Sequence, residues 1–253
     1  IALSLKRVNA SYEAKNALKD IDLDIRSGEI TALMGRNGAG KSSLIKCAVG
    51  VLAPSAGEVL LNGNLIQDVK QSERANRIGY IPQEPGDLLY KTSVGAECAQ
   101  ADADNKLSPG TTLSSLHEML PTISEHSHPR DLSEGERLTL VLAIVLAGSP
   151  EILILDEPTR GLDYEAKNRL MSILHHRSHT NSVAVLMATH DVEIVAEVAD
   201  RTVFLADGEK VADGPTLDVL LASPAFAPQV AKVMSPRRWL TVGDVLRSKA
   251  SNE

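Results

Sequence analysis

Near the start of the chain, one segment combines three glycines with a lysine and a serine at fixed spacing. It follows the pattern G-x-x-x-x-G-K-[ST] and consists of Gly35, Arg36, Asn37, Gly38, Ala39, Gly40, Lys41 and Ser42. Glycines let the main chain curl without Cβ clashes, so that its amides and the start of a following helix face an anion. Lys41 would reach phosphate oxygens and Ser42 would bind Mg²⁺. The segment therefore predicts a nucleoside triphosphate site; a glycine-rich turn that fits by chance is the alternative.

The elements around this segment are the ones that a phosphate-binding loop needs. Residues 30–34 are a short apolar run that predicts a buried strand. Residues 43–50 predict a helix with Gly50 near its end. The order strand, glycine loop and helix is the context in which this motif occurs in nucleotide-hydrolysing proteins.

Two carboxylates follow a second apolar run, residues 152–155, which predicts another buried strand. In an open parallel sheet, ligands lie at the carboxyl ends of the strands. Asp156 is therefore predicted to lie near the phosphate loop and to support Mg²⁺ beside Ser42, as a Walker B aspartate does. Glu157 would then face the terminal phosphate and polarise an attacking water. An acidic helix start after a strand is the alternative interpretation.

A third segment lies at the start of a long helix predicted over residues 132–147; it comprises Leu132, Ser133, Glu134, Gly135 and Glu136. Ser133 and Glu136 have the spacing of a capping box, in which the serine accepts from the third helical amide and the glutamate reaches back. The helix start is also a place where an anion can bind. Both interpretations can hold together.

These five residues resemble the LSGGQ signature of ABC ATPases, and the resemblance extends over nearly the whole chain. It implies that the signature binds a γ-phosphate. It also implies four further site residues: Gln83 in a Q-loop that touches Mg²⁺ or water, Asp163 in a D-loop, His190 as the switch histidine that contacts the γ-phosphate, and Tyr12 as the aromatic residue that stacks on adenine.

The signature departs from the family pattern at two positions. Glu134 replaces a glycine and Glu136 replaces a glutamine. Two carboxylates near a phosphate are unfavourable unless they point away from it. If Glu136 is held in the capping box, its charge is partly occupied. We therefore expect a functional but weaker signature.

Composition and patterning indicate an α/β fold. The resemblance specifies a P-loop NTPase core (RecA-like, mainly parallel sheet) with an N-terminal antiparallel β subdomain and a small helical insertion. The predicted division is an ATPase core over residues 1–89 and 132–215, the insertion over 90–131, and a C-terminal helix and tail over 216–253. With a formal net charge of −7 and no dense Lys/Arg block, nothing indicates nucleic-acid binding.

The cysteines and histidines outside these motifs have the ordinary structural interpretation. Cys47 and Cys98 lack metal-ligand spacing and are expected to be small buried side chains in a reducing compartment. A metal site is the less favoured alternative for two histidine clusters: His117, His126 and His128 in the insertion, and His175, His176 and His179 at a helix end.

The resemblance also implies partners. A signature serves the phosphate loop of a second ABC ATPase domain, as a homodimer, a heterodimer or the other half of one polypeptide, and the pair moves integral membrane transport subunits. Residues 156–163, together with a tail motif formed by residues 223–230 and 239–242, resemble cobalt and energy-coupling-factor (ECF) importer ATPases. This resemblance implies vitamin or metal import and a peripheral location on the cytoplasmic face of the cell membrane. The Ile1 start is expected for a trimmed chain or for the second half of a longer protein. Alternatives are a soluble ABC ATPase acting on nucleic acid or ribosomes, and a P-loop kinase or GTPase outside the ABC family.

Overall fold

The computed structural model describes residues 1–12, 15–222 and 226–250, and for residues 12, 15, 249 and 250 it describes the main chain alone. Within these ranges, strands form two sheets. In chain order they are β1 (Leu3–Tyr12), β2 (Lys15–Ile25), β3 (Ile30–Met34), β4 (Ala56–Leu61), β5 (Asn64–Leu65), β6 (Ile78–Ile81), β7 (Ile152–Asp156), β8 (Ala184–Ala188), β9 (Arg201–Ala206) and β10 (Glu209–Pro215).

The first sheet is antiparallel, with the order β2–β1–β4–β5. In β1, Leu3 and Leu5 are buried and lie opposite Ile25 and Leu23 of β2, so one face of the pair enters the core. The alternation of apolar and polar residues predicts this arrangement, because successive side chains of a strand point to opposite faces. The predicted N-terminal antiparallel subdomain is confirmed.

The second sheet has the order β10–β9–β3–β8–β7–β6, and every neighbouring pair is parallel except β10 with β9. All residues of β3, β7 and β8 are buried, as expected for parallel strands covered on both faces. One strand, β8, separates β3 from β7. The loops that follow β3 and β7 therefore start about 10 Å apart at one edge of the sheet.

Helices cover this sheet and form the insertion. They are α1 (Lys41–Ala48), α2 (Gln71–Arg77), α3 (Val94–Asp104), α4 (Thr111–Met119), α5 (Glu134–Ala147), α6 (Tyr164–His175), α7 (Val192–Val198), α8 (Thr216–Ala222), α9 (Gln229–Met234) and α10 (Val242–Ala250). Helices α3 and α4 pack on α5 through a separate small core that includes Val94, Cys98, Leu116 and Leu140. The predicted helical insertion and the α/β class are confirmed.

Two parts of the chain differ from the prediction. Helix α2 was not predicted, because none of its residues is buried and it carries no apolar periodicity. The segment after α8 was predicted as a tail, but it contains α9 and α10. Part of the tail motif used for the ECF resemblance, residues 223–225, lies outside the described residues. No helix in the described ranges is both long and apolar enough to cross a bilayer.

Candidate active site

The glycine loop joins β3 to α1 and lies at the carboxyl edge of the larger sheet. Gly35 has φ 152°, and a Cβ there would come within 2.4 Å of the Leu205 main-chain oxygen. Gly40 has φ 107°, and its Cβ would come within 2.6 Å of the Ala17 oxygen. Neighbouring main chain therefore fixes the shape of the loop, and only glycine fits at these two positions.

Lys41, the first residue of α1, turns its side chain back over the loop. Its Nζ donates a hydrogen bond of 2.8 Å to the Gly35 oxygen and lies 3.6 Å from Oε1 of Glu157. The residue is only 7% exposed. A buried ammonium group is stable only when hydrogen-bond acceptors or opposite charges contact it. The Gly35 oxygen and the Glu157 carboxylate therefore fix the Lys41 ammonium group at the wall of the cavity.

Asp156 ends β7 and lies beside Ser42. The Ser42 hydroxyl is close enough to favour the ionised form of the Asp156 carboxyl group. Burial raises the pKa of Asp156, the Ser42 hydroxyl opposes this rise, and the negative charge of Glu157 adds to it. A bound cation would favour the ionised form, and the carboxylate, this hydroxyl and the nearby Gln83 amide offer the oxygen ligands that Mg²⁺ prefers.

Glu157 has an unusual main chain, with φ 52°, which costs free energy for a residue with a Cβ. Its N–H donates a hydrogen bond of 2.8 Å to the oxygen of Ala188 at the end of β8, which holds this conformation. The carboxylate lies between two groups: Oε2 is 2.7 Å from Nδ1 of His190, and Oε1 faces Lys41. A nearly buried carboxylate is thereby aimed into the cavity, while the His190 side chain is 69% exposed.

These groups share one cavity of about 610 Å³. The part of the chain that the structure describes lines it with Ala17, Arg36, Asn37, Gly38, Gly40, Lys41, Ser42, Ser43, Gln83, Asp156, Glu157, Arg160 and His190. The phosphate loop, the Asp156–Glu157 pair, Gln83 and His190, predicted separately from the sequence, are therefore adjacent.

The predicted capping box is present at the start of α5. Glu136 N–H donates to Ser133 Oγ at 3.3 Å, and Glu136 Oε2 accepts from Ser133 N–H at 2.8 Å and from the Ser133 hydroxyl at 2.9 Å. Glu134 pairs with Arg137 at 2.9 Å. Arg137 also donates to the main-chain oxygen of Leu132 at 2.9 Å. Both signature carboxylates are therefore engaged by the chain itself.

A sequence model of the ABC transporter family matches residues 18–160, more than half of the chain. The chain belongs to the ABC transporter family of ATP-binding domains. It is an ABC ATPase domain, and ABC ATPases use ATP with Mg²⁺. The cavity beside the phosphate loop is the candidate ATP site and is called the ATP cavity below.

Individual relatives agree with this assignment. A protein of Streptomyces coelicolor named as an ABC transporter ATP-binding protein is 54% identical over 244 residues, which are 96% of this chain and 43% of that protein. One of the same description from Geobacter sulfurreducens is 35% identical over 82% of this chain and 83% of its own length. The chain spans less than half the length of the Streptomyces relative.

The solved structure of cbiO1 from Clostridium perfringens, described as part of the ABC transporter complex cbiONQ, has the same fold. It superposes with a TM-score of 0.77 and 28% identity, over 86% of this chain and 90% of that chain. Another structure described as the ATP-binding subunit of an ABC transporter gives a TM-score of 0.77, also at 28% identity. The predicted P-loop ABC fold is confirmed.

The predicted signature and the predicted D-loop residue are not among the described residues that line the ATP cavity. Asp163 caps α6, where its Oδ1 accepts from Ala166 N–H at 2.8 Å. A smaller cavity of about 220 Å³ is shared by Gln83, Glu134, Glu157 and other residues, so one edge of the predicted signature is next to the loop that carries Glu157. The side chain of Tyr12, predicted to stack on adenine, lies outside the described residues.

Sequence reasoning missed three residues that line the ATP cavity, namely Ala17, Ser43 and Arg160. Ala17 lies on β2 of the other sheet, and an alanine in a strand carries no chemical signal. Arg160, between the Walker B pair and the D-loop, lines the cavity and pairs with exposed Glu84 at 3.1 Å. Its position within residues 156–163, a segment already predicted to bind nucleotide, could have identified it.

Four of the cysteines and histidines outside the predicted motifs have clear structural surroundings: Cys47, Cys98, His175 and His179. Cys47 and Cys98 are free and buried, and burial raises their thiol pKa values to about 11 and about 12. Within the described ranges, no group of three His, Cys, Asp or Glu residues is arranged to hold a metal ion. His175 and His179 stack on each other, and Nε2 of His179 lies 3.1 Å from Asp200.

Proposed function

We propose that this chain is the ATP-hydrolysing motor domain of an ECF-like membrane importer for a vitamin or metal ion. The observation that carries the hydrolytic part is the Lys41–Glu157–His190 cluster: one carboxylate lies between the phosphate-loop lysine and a histidine in the ATP cavity. Glu157 acts as the general base that polarises the attacking water. His190 orients that carboxylate and contacts the γ-phosphate.

The other cavity residues bind and orient the nucleotide. The loop amides and Lys41 hold the phosphates, and Tyr12 stacks on adenine. Ser42, Asp156 and Gln83 would hold Mg²⁺, which when bound neutralises phosphate charge. Asp163 supports the site from the D-loop.

The second ATPase domain supplies the other half of the site. This proposal is supported by the absence of residues 132–136 from the described lining of this chain's own ATP cavity. The Streptomyces relative is more than twice as long as the segment that this chain matches, which leaves room for another domain of this size. The partner is thus a second ABC ATPase domain, on the same or another polypeptide.

The membrane subunits contact a groove of about 680 Å³ between the Q-loop side and the insertion. It is lined by residues 86–87 and 89–92, and by His128, Pro129, Arg130 and Arg137. The assignment to import is supported by residues 156–163 and by the likeness to cbiO1. It implies a peripheral position on the cytoplasmic face of the cell membrane.

Substitution of Glu157 by Gln tests the catalytic assignment. The neutral amide keeps the shape but cannot accept a proton, so we expect ATPase turnover to fall about 100-fold or more while ATP binding and the ATP-bound dimer persist. Glu58→Gln, at an exposed position of β4, is the matched control. Normal turnover of Glu157→Gln would show that another group is the base.

Co-purification tests the transport assignment separately. The protein is isolated from membranes with and without detergent, and its partners are identified by mass spectrometry. Association with an integral membrane protein supports the importer. ATPase activity that RNA stimulates, without a membrane partner, contradicts the importer and supports the soluble alternative.

A further inference from the structure

Two hairpin turns of this molecule have nearly the same main-chain geometry. The turn between β4 and β5 has φ 49° at Asn62 and 83° at Gly63, and the turn between β9 and β10 has φ 50° at Asp207 and 81° at Gly208. Positive φ at both central residues is what a tight two-residue hairpin requires. As hairpin turns, the two are equivalent.

Their surroundings differ completely. A Cβ on Gly63 would have no atom within 4 Å, whereas a Cβ on Gly208 would lie 2.8 Å from the Ala17 oxygen and 3.4 Å from Leu18 Cα. Gly208 also bonds in two directions through its main chain. Its N–H donates to the Ala39 oxygen at 3.1 Å, and its oxygen accepts from Lys19 N–H at 2.8 Å.

These contacts join three parts of the ATP site at one point. Ala39 belongs to the phosphate loop, Ala17 lines the ATP cavity from the antiparallel sheet, and Gly208 ends the edge hairpin of the larger sheet. Gly40 also approaches this point, because its own Cβ would lie 2.6 Å from the same Ala17 oxygen and 3.6 Å from Gly208 Cα. Both glycines therefore lie close against the Ala17 main chain.

The hydrogen bond to Ala39 also orients a peptide group of the loop. In a trans peptide the C=O and the following N–H point in opposite directions. Because the Ala39 oxygen is directed at Gly208, the N–H of Gly40 is directed away from the turn, and Gly40 lines the ATP cavity. The turn thus fixes the direction of one amide of the phosphate-binding loop.

We propose that Gly208 is a positioning residue for ATP binding. It sets the distance between β2 and the phosphate loop, and the orientation of the Ala39–Gly40 peptide. It does not touch the reacting atoms. Any side chain at this position must move either the Ala17 segment or the loop, and both movements weaken the cradle for the phosphates.

The test compares Gly208→Ala with Gly63→Ala in the full-length protein. Both substitutions place a Cβ at nearly the same positive φ, so both should lower the melting temperature; Gly208→Ala should lower it further, because its Cβ also meets the Ala17 oxygen. Gly208→Ala should weaken ATP binding, measured by calorimetry, and raise KM about tenfold, with kcat changed less than about threefold. Gly63→Ala should leave both constants unchanged, and Lys41→Ala defines the signal of a chain that lacks its own ATP site.

Asparagine variants separate main-chain strain from crowding. Asparagine tolerates positive φ, so Gly63→Asn should be close to wild type in stability and ATP affinity. Gly208→Asn keeps the Cβ that meets Ala17 and should still raise KM. Equal ATP affinity in Gly208→Asn and wild type would overturn the proposal, as would an equal loss in the Gly63 and Gly208 variants.

A milder variant covers the case in which Gly208→Ala does not fold. Lys19 and Glu209 form an exposed ion pair of 3.3 Å beside the turn. Lys19→Ala removes the pair without altering the main chain. We expect about a twofold rise in KM, in keeping with the small free energy of such pairs, at an unchanged melting temperature. An unchanged KM would contradict the role of the turn.

Discussion

The phosphate loop and the signature segment are both helix starts that we predict to bind an anion, yet they are built differently. At the phosphate loop, Gly35 and Gly40 lie against main-chain oxygens, and the cation of Lys41 is held at the cavity wall. At the signature, the helix start is covered by the chain's own Glu136 side chain. The phosphate loop presents its lysine to an open cavity, whereas the Glu136 carboxylate already accepts hydrogen bonds from Ser133 at the start of α5.

The difference separates two ways of making a site. Main-chain contacts cannot rearrange without moving strands, so the phosphate loop is fixed before ATP arrives. The Ser133–Glu136 bonds join exposed groups, and water competes with them. A rotation of the Glu136 side chain can therefore free Ser133 for a phosphate. How strongly the phosphate then binds depends on the negative charge of the Glu136 carboxylate nearby.

The largest expected effect comes from adding a methyl group to one glycine in each region. In Gly35→Ala the new Cβ meets the Leu205 main-chain oxygen at 2.4 Å, so the loop must shift and ATP binding should weaken about 100-fold. In Gly135→Ala the new Cβ meets the Ala166 side chain at 2.7 Å, so α5 and α6 separate slightly. Calorimetry should show ATP affinity lost only in the first variant.

A second substitution decides whether the contrast is correct. We expect Gly135→Ala to lower the ATPase rate. In the double variant Gly135→Ala with Ala166→Gly, the methyl group that the new Cβ meets is absent, so the ATPase rate should recover. No side-chain change can relieve Gly35→Ala, because its obstacle is main chain. Recovery of Gly35→Ala by a neighbouring substitution, or failure of the Ala166→Gly rescue, would contradict the distinction.

A smaller effect is expected from Glu136→Gln. The amide can still accept from Ser133 but carries no charge against an incoming γ-phosphate. The ATPase rate should therefore stay the same or rise a few fold, while the capping box loses about 0.5–1 kcal/mol of helix stability. Steady-state ATPase assays and thermal melting measure the two effects. A large loss of ATPase activity would show that the Glu136 carboxylate is needed.

The sequence predicted the parts of the site that depend on local pattern. The phosphate loop, the Asp156–Glu157 pair after a buried strand, and the capping box at Ser133 could each be identified within a few residues. Contacts between distant segments could not: nothing in the sequence relates Gly208 to Ala39, because their proximity depends on the order of strands in the sheet. The roles of the site residues, including adenine stacking by Tyr12, stay predictions.

Secondary structure shows the same division. Fully buried strands were predicted from apolar runs, because burial on both faces leaves a continuous signal. Helix α2 buries none of its residues and therefore leaves no pattern. Helices α9 and α10 are separated by a proline-bearing segment, and prolines made the whole region resemble an irregular tail.

The smallest expected effect concerns the hairpin behind the phosphate loop, and it appears as pH dependence. Burial alone raises the pKa of Asp213. Hydrogen bonds and ion pairs with Arg201 and Lys210 lower the pKa by more than burial raises it, so the pKa lies below its ordinary value. A carboxyl group whose pKa is lowered by folding stabilises the folded state. This stabilisation is complete at pH values above the pKa in the unfolded chain, about 3.9, and is lost as the pH falls through the pKa in the folded chain.

We expect Asp213→Asn to remove this component. At neutral pH the variant should unfold at lower denaturant concentration than wild type, and the difference should shrink as the pH falls below about 4. Urea titrations at several pH values measure this difference.

Asp213 supports β9 and β10, which the Asp207–Gly208 turn connects. In Asp213→Asn we therefore expect ATP affinity to fall together with stability. In Asp102→Asn, whose carboxylate is bonded to Thr112 in the insertion, stability should fall and ATP affinity should not. Equal losses of ATP affinity in both variants would mean that the phosphate loop does not depend on this hairpin.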